Sequence, residues 1–139
     1  MPHSVAMADL AVFFTSESRV KFAYLFGSLA NGGAMGPLSD LDLAVYLDGR
    51  VNFFTNRLTL IESLAKKICT ENFDLVVLNQ APLVLRYEVI KNGIVLKENK
   101  PRRIMFETEV LRTYLDTAPM RKIQYQYLKA SLKKEAGYG

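Results

Sequence analysis

The chain has 139 residues, half of them hydrophobic, with 18 lysines and arginines against 14 aspartates and glutamates and a formal charge of +4. That length and apolar content suffice for one core without disulfides or a structural metal, so a single domain is expected over residues 1–139. The single cysteine, Cys69, excludes an intrachain bridge and points to a reducing, cytoplasmic setting.

The apolar stretch VAMADLAVFF is interrupted by Asp9 and lacks a basic leader, so neither a signal peptide nor a membrane anchor is expected. Over residues 5–16, Leu10, Phe13 and Phe14 repeat with helical spacing. VKFAYLF, residues 20–26, reads as a strand with Val20, Phe22, Tyr24 and Phe26 on one side, ending at Gly27. A loop and short helix then run to Pro37. LDLAVYL, residues 41–47, is a second strand: Leu41, Leu43, Val45 and Leu47 face one way, and Asp40, Asp42, Ala44 and Tyr46 the other.

From Thr55 to Asn72, Leu58, Ile61, Leu64, Ala65 and Ile68 mark a helix whose last turn carries Lys66 and Lys67, where the helix dipole favours cations. FDLVVL, residues 73–78, is a third strand with Asp74, Val76 and Leu78 on one side. Pro82 opens a helix that Gly93 closes, and IVLKE supplies a short fourth strand at an edge. After Pro101 a helix runs to about Thr117, and Pro119 marks a kink or a new helix through Ile123, Tyr127 and Leu128. The order implies an α/β (α+β) fold: a small mixed sheet flanked by helices, with a core over about 5–98 and a C-terminal helical segment over about 101–135.

Two aspartates two positions apart on a strand repel each other, and burying either alone costs several kcal/mol, so something positive belongs between them. Side chains at i and i+2 lie roughly 6.5–7 Å apart at Cα, close enough to converge on cations. Asp74 on a neighbouring strand brings a third carboxylate. Few, hard oxygen ligands suit Mg²⁺, and a two-ion site clamps the attacking and leaving oxygens of a displacement at phosphorus. Gly27 and Ser28, between a strand and a helix start, offer backbone N–H groups and a hydroxyl to an anion. The Gly-Lys-Ser/Thr ending of a Walker loop is absent, and the lone His3 leaves no histidine triad or typical zinc site.

With Gly-Ser, a spacer, Asp-x-Asp and a later strand carboxylate, the chain resembles the nucleotidyltransferase superfamily of the DNA polymerase beta type. The segments YLFGSLANG, SDLDLAVYL, FDLVVLN, VIKNGIVLKE and FETEVLRTYLD resemble its minimal nucleotidyltransferases, over about residues 5–130. These are similar to the antitoxins of HEPN/MNT (type VII) toxin–antitoxin pairs, which transfer AMP from ATP to a tyrosine of a HEPN ribonuclease. The resemblance implies that Gly27 and Ser28 hold the triphosphate, that Asp40 and Asp42 bind Mg²⁺, and that Asp74 completes the metal site and helps deprotonate the acceptor. The spacer Leu29–Ser39 holds eleven residues, one more than is common, and Asn31 stands where arginine is frequent.

The implied activity is Mg²⁺-dependent protein adenylylation of a HEPN toxin. Alternatives are an antitoxin that masks its partner by contact and a nucleotidyltransferase for a small hydroxylated compound. The cations after Lys97 suit nucleotide phosphates, an acidic partner or nucleic acid, or form only a solvated helix face; direct nucleic-acid binding is not expected. About forty residues beyond the core are too few for a large substrate domain, so the acceptor is expected on another molecule. Tyr114, Tyr125 and Tyr127 are docking residues in that reading; packing on the chain's own sheet is the other.

Overall fold

The structure, a computed structural model, describes residues 7–27 and 41–135. Its elements are α1 (Met7–Thr15), β1 (Val20–Phe26), β2 (Leu41–Leu47), α2 (Phe53–Ile68), β3 (Phe73–Val77), α3 (Leu83–Asn92), β4 (Ile94–Lys97), α4 (Lys100–Asp116) and α5 (Ala118–Glu135). The four strands form one mixed sheet in the order β3-β2-β1-β4. β1 is antiparallel to both β2 and β4, whereas β2 and β3 run parallel, joined by the α2 crossover. The expected α+β fold with a mixed sheet is what the chain adopts, and β4 lies at the expected edge. The expected loop and short helix before Pro37 lie outside the described residues.

Alternation along the strands divides the core between the two faces of the sheet. One face carries Leu25, Leu43, Val45 and Leu75 against Leu10 and Phe14 of α1 and Leu60 and Leu64 of α2. The other carries Phe22, Tyr24 and Ala44 against Val89 of α3 and Phe106 and Val110 of α4. Val20 departs from its expected company. A register shift between Val20 and Phe22 turns it into the α1–α2 cluster, because a bulge changes the parity on which the alternation rests.

α2 begins two residues before Thr55 because the Asn52 side chain accepts the Thr55 N–H, 2.9 Å away, and so caps the first turn. It ends four residues before Asn72 because Cys69 takes a left-handed conformation (φ 59°). Its buried stripe is Leu60 and Leu64, with Ile61 and Ile68 beside them, while Leu58 points outward. Gly93 closes α3 as expected, though in extended rather than left-handed conformation: a Cβ there would meet Val89 O and, at 3.2 Å, the Tyr24 ring.

α4 is tied to the sheet by a part-buried polar chain. The Tyr24 hydroxyl donates to Glu107 Oε2 at 2.5 Å, and Arg103 Nη1 donates to the same oxygen at 2.9 Å. Arg103 also forks onto Glu98. Burial and the neighbouring Glu107 carboxylate push the Tyr24 hydroxyl far above its usual value of 10.0. In the folded chain Tyr24 therefore stays protonated where the unfolded chain loses that proton. Its contribution to stability is complete below about pH 10 and declines as pH rises beyond it.

Replacing the hydroxyl, Tyr24→Phe, is expected to cost about 2 kcal/mol in urea melts at neutral pH. Above pH 10 the gap between wild type and variant should shrink, since the variant has no phenol to ionise. A gap that stays constant to pH 11 would show that the hydroxyl is not held protonated.

Candidate functional site

One end of the sheet collects the residues of interest. β2 and β3 are parallel and begin at Leu41 and Phe73, which pair, so their second residues, Asp42 and Asp74, stand directly opposite each other. β1 is antiparallel to β2, so its last residue, Phe26, pairs with Asp42 and Gly27 emerges beside it. The strand alternation that puts Ala44 and Phe22 under α3 and α4 places Asp42 and Asp74 on that same face, at the end of the sheet. Asp42 is half-buried and Asp74 is exposed.

Gly27 has φ +81°, in the left-handed region that glycine enters without steric cost. A Cβ at Gly27 would collide with Asp42 Oδ2 and lie 3.1 Å from its Cγ. The glycine was expected to let a phosphate approach; the geometry adds a second reason, space for the Asp42 carboxylate. No local pattern signals this, because Gly27 and Asp42 meet only through the β1–β2 register.

Supports on neighbouring elements hold the row. Leu41 N–H bonds Asn72 O at 3.1 Å, which joins the start of β2 to the residue before β3. Arg57 of α2 reaches the outer edge of β3 with Nε 2.8 Å from Leu75 O, one residue after Asp74. Leu78 N–H bonds Val45 O at 2.8 Å, and the Asn79 side chain bonds both Leu47 N–H and Leu47 O, closing the far end of the same ladder.

Ser28 and Asp40, two of the five expected site residues, lie outside the described residues. The other three, Gly27, Asp42 and Asp74, come together. Among the described residues no three histidine, cysteine, aspartate or glutamate side chains gather to hold a metal; Asp42 and Asp74 make a pair. Two adjacent carboxylates supply hard oxygen donors, few in number, which is the donor set of Mg²⁺ with waters and phosphate oxygens completing its shell. Of the expected docking tyrosines, Tyr114 is half-buried and stacked on Tyr87 with ring centroids 3.7 Å apart, whereas Tyr125 and Tyr127 are exposed.

Like charges directly opposite in a ladder are destabilising. In a chelator, Asp74→Asn is therefore expected to melt higher than wild type by roughly 0.5 kcal/mol of stability, and to lose any rise in melting temperature on adding Mg²⁺. Gly27→Ala should do the reverse in the chelator, losing on the order of 1–3 kcal/mol through backbone strain and displacement of Asp42. Calorimetric melts of the three proteins, with and without Mg²⁺, test both; an Asp74→Asn variant no more stable than wild type would mean that the carboxylates do not oppose each other.

Several solved structures share this fold. A toxin–antitoxin with AMP-PNP aligns over 89% of this chain and 99% of its own, at 23% identity and TM-score 0.72. A mutant of the toxin–antitoxin MntA–HpeT, with two aspartate-to-glutamate substitutions, aligns over 89% of this chain and 99% of its own, at 21% identity and TM-score 0.70. A tri-AMPylated Shewanella oneidensis HEPN toxin in complex with MNT antitoxin aligns over 88% and 95%, at 22% identity and TM-score 0.66. At these identities the likeness is one of fold. No curated protein matches the sequence. The family of polymerase beta nucleotidyltransferases matches residues 8–102, a span that holds Gly27, Asp42 and Asp74 with the four strands that position them, and the chain belongs to that family.

Proposed function

We propose that the chain is a protein adenylyltransferase that acts as an antitoxin, moving AMP from ATP to a tyrosine hydroxyl of a HEPN-family toxin. The observation that carries this reading is the pairing of Asp42 with Asp74 beside the Cβ-free edge of Gly27. Family membership supports the reaction class, nucleotidyl transfer. The fold neighbours, one with AMP-PNP and one a tri-AMPylated HEPN toxin with its MNT antitoxin, support the donor and the acceptor.

In this reading Asp40, Asp42 and Asp74 hold Mg²⁺, with two ions as the expected number. The metal supplies neutralisation of phosphate charge when bound. Backbone N–H at Gly27 and the Ser28 hydroxyl orient the triphosphate, and the absence of a Gly27 side chain lets it lie close to the carboxylates. The acceptor oxygen attacks the α-phosphorus, the bond to the bridging oxygen breaks, and pyrophosphate leaves. Asp74, exposed at the edge, takes the hydroxyl proton. Asp42, half-buried and fixed between β1 and β3, keeps its geometry through the step.

The test is transfer of label from α-labelled ATP to a purified HEPN-family toxin, with Mg²⁺. Label on the toxin is expected, with loss of about 100-fold or more in Asp42→Asn and in Asp74→Asn, and none in a chelator. Toxin neutralised equally by wild type and Asp42→Asn, without label, would replace transfer by masking through contact. Label on a small hydroxylated compound in place of the toxin would keep the chemistry and change the acceptor.

A further inference from the structure

A cleft lies at the other end of the sheet from the paired aspartates. It opens between α3, α4 and the turn after β2, encloses about 620 Å³, and has Tyr46 and Phe106 among its lining residues. Tyr46 stands four residues beyond Asp42 on β2, so about 13 Å of strand separates the cleft from the carboxylates. The volume falls within the range of small-molecule sites, roughly 300–1,000 Å³.

The apolar part of the lining is aromatic. Tyr46 and Phe106 have ring centroids 5.3 Å apart, and each packs against Phe22, so the core holds both rings in place before anything binds. Phe53, at the start of α2, adds a third ring.

The polar part is mainly cationic. Arg86 Nε donates to Leu78 O at 2.9 Å and Nη2 to Asn79 O at 2.8 Å, and its guanidinium carbon lies 5.6 Å from the centre of the Phe106 ring. Those two bonds fix the guanidinium plane and leave Nη1 without a partner among the described residues. Arg102, exposed on α4, makes no hydrogen bond or ion pair among the described residues, whereas its neighbour Arg103 is matched by Glu98 and Glu107. Glu109 is the only carboxylate among the described lining residues, and Arg112 stands 3.6 Å from it.

Charge and shape together select the ligand. Two guanidiniums with no carboxylate of their own call for an anion, and the planar fork of arginine suits the paired oxygens of a phosphate or carboxylate. Rings fixed by the core favour a planar aromatic body, which they cover at little cost in side-chain entropy. A neutral ring would leave both charges unanswered, and a bare anion would leave the rings uncovered.

We propose that this cleft binds a small aromatic anion, a planar ring carrying a phosphate or carboxylate group. Arg86 is the fixed anchor for the anionic group, Arg102 its second contact, and Tyr46 and Phe106 the surface for the ring. The site stands apart from the paired aspartates and does not rest on the adenylyltransferase reading.

The test is titration calorimetry with amide NMR on the full chain in a chelator, using AMP as an aromatic phosphate and 2-naphthoate as an aromatic carboxylate. At least one is expected to bind one to one and to shift the amide signals of Gly49 and Asn79 while leaving Gly27 in place; the tighter of the two identifies the anionic group. Adenosine, which lacks the charge, and octanoate, which lacks the ring, should bind at least about tenfold more weakly. Arg86→Gln and Arg102→Gln should each weaken binding by a similar factor. Melting curves check the fold, and the exposed Arg102→Gln decides the matter if Arg86→Gln does not fold.

The proposal is overturned if neither probe binds, or if the shifts gather at Gly27 and Asp42 in place of Gly49. Affinity indifferent to both arginine substitutions also overturns it, and so does octanoate bound as tightly as 2-naphthoate.

Discussion

The structure turns on a register: Asp42 opposite Asp74 across its parallel ladder. Each aspartate is the second residue of its strand, and only a parallel pair brings the second residues of two strands to the same end of a sheet. The α2 crossover makes that pair parallel, and Leu60 and Leu64 on α2, packed with Leu43, Val45, Leu75 and Val77, hold it in place. A slip of one residue would turn either carboxylate into the α2 face. β1, antiparallel, then delivers its C-terminal end to the same corner, and Gly27 follows without a side chain that would strike Asp42. Topology, not local sequence, assembles the three residues, and apolar pairs further along the ladder offset the repulsion between the carboxylates.

The opposite face of the sheet supplies rigidity. Phe22 and Tyr46 stack with ring centroids 4.8 Å apart, and Phe106 of α4 packs against both. Tyr24 adds the bond to Glu107, the polar connection between β1 and α4. Along β1, Tyr24 shares a face with Phe26, whose partner is Asp42, so the strand that presents Gly27 is fixed by aromatic packing and by a charge-assisted hydrogen bond. Strands clamped in this way hold Asp42 and Asp74 in a fixed register at the end of the sheet.

Much of this was legible in the sequence, and the limits have physical causes. β1 and β2 lie at the expected residues because alternation and the glycine after Phe26 are local signals. Val20 changes face through a bulge, which depends on how β1 meets β2. α2 is displaced at both ends because Asn52 caps and Cys69 adopts a left-handed conformation, and a cysteine is not the residue that ordinarily announces one. The pairing of Asp42 with Asp74 follows from treating both as strand residues on one side, but the reason for Gly27 required a register that no spacing within a single strand contains. Tyr114 and the two tyrosines of α5 look alike as sequence; partners distant in the chain, Tyr87 among them, decide that Tyr114 is half-buried.

The junction between α4 and α5 shows how a helix with no buried residue is tied to the body of the fold. Thr117 N–H bonds Thr113 O at 3.0 Å and its hydroxyl bonds the same oxygen at 2.8 Å, finishing α4, and Pro119 falls in the first turn of α5, where its missing N–H costs nothing. Arg121 then bridges back across the break to Tyr114. Without that bridge an eighteen-residue helix with no buried residue would be marginal in water and would sample many directions. With it, the direction of α5 is set by the body of the fold. Tyr87, on which Tyr114 stacks, also packs against the cluster of Phe22, Tyr24 and Ala44 on the sheet. The root of α5 is thus linked, through Tyr114 and Tyr87, to the layer that packs on the sheet.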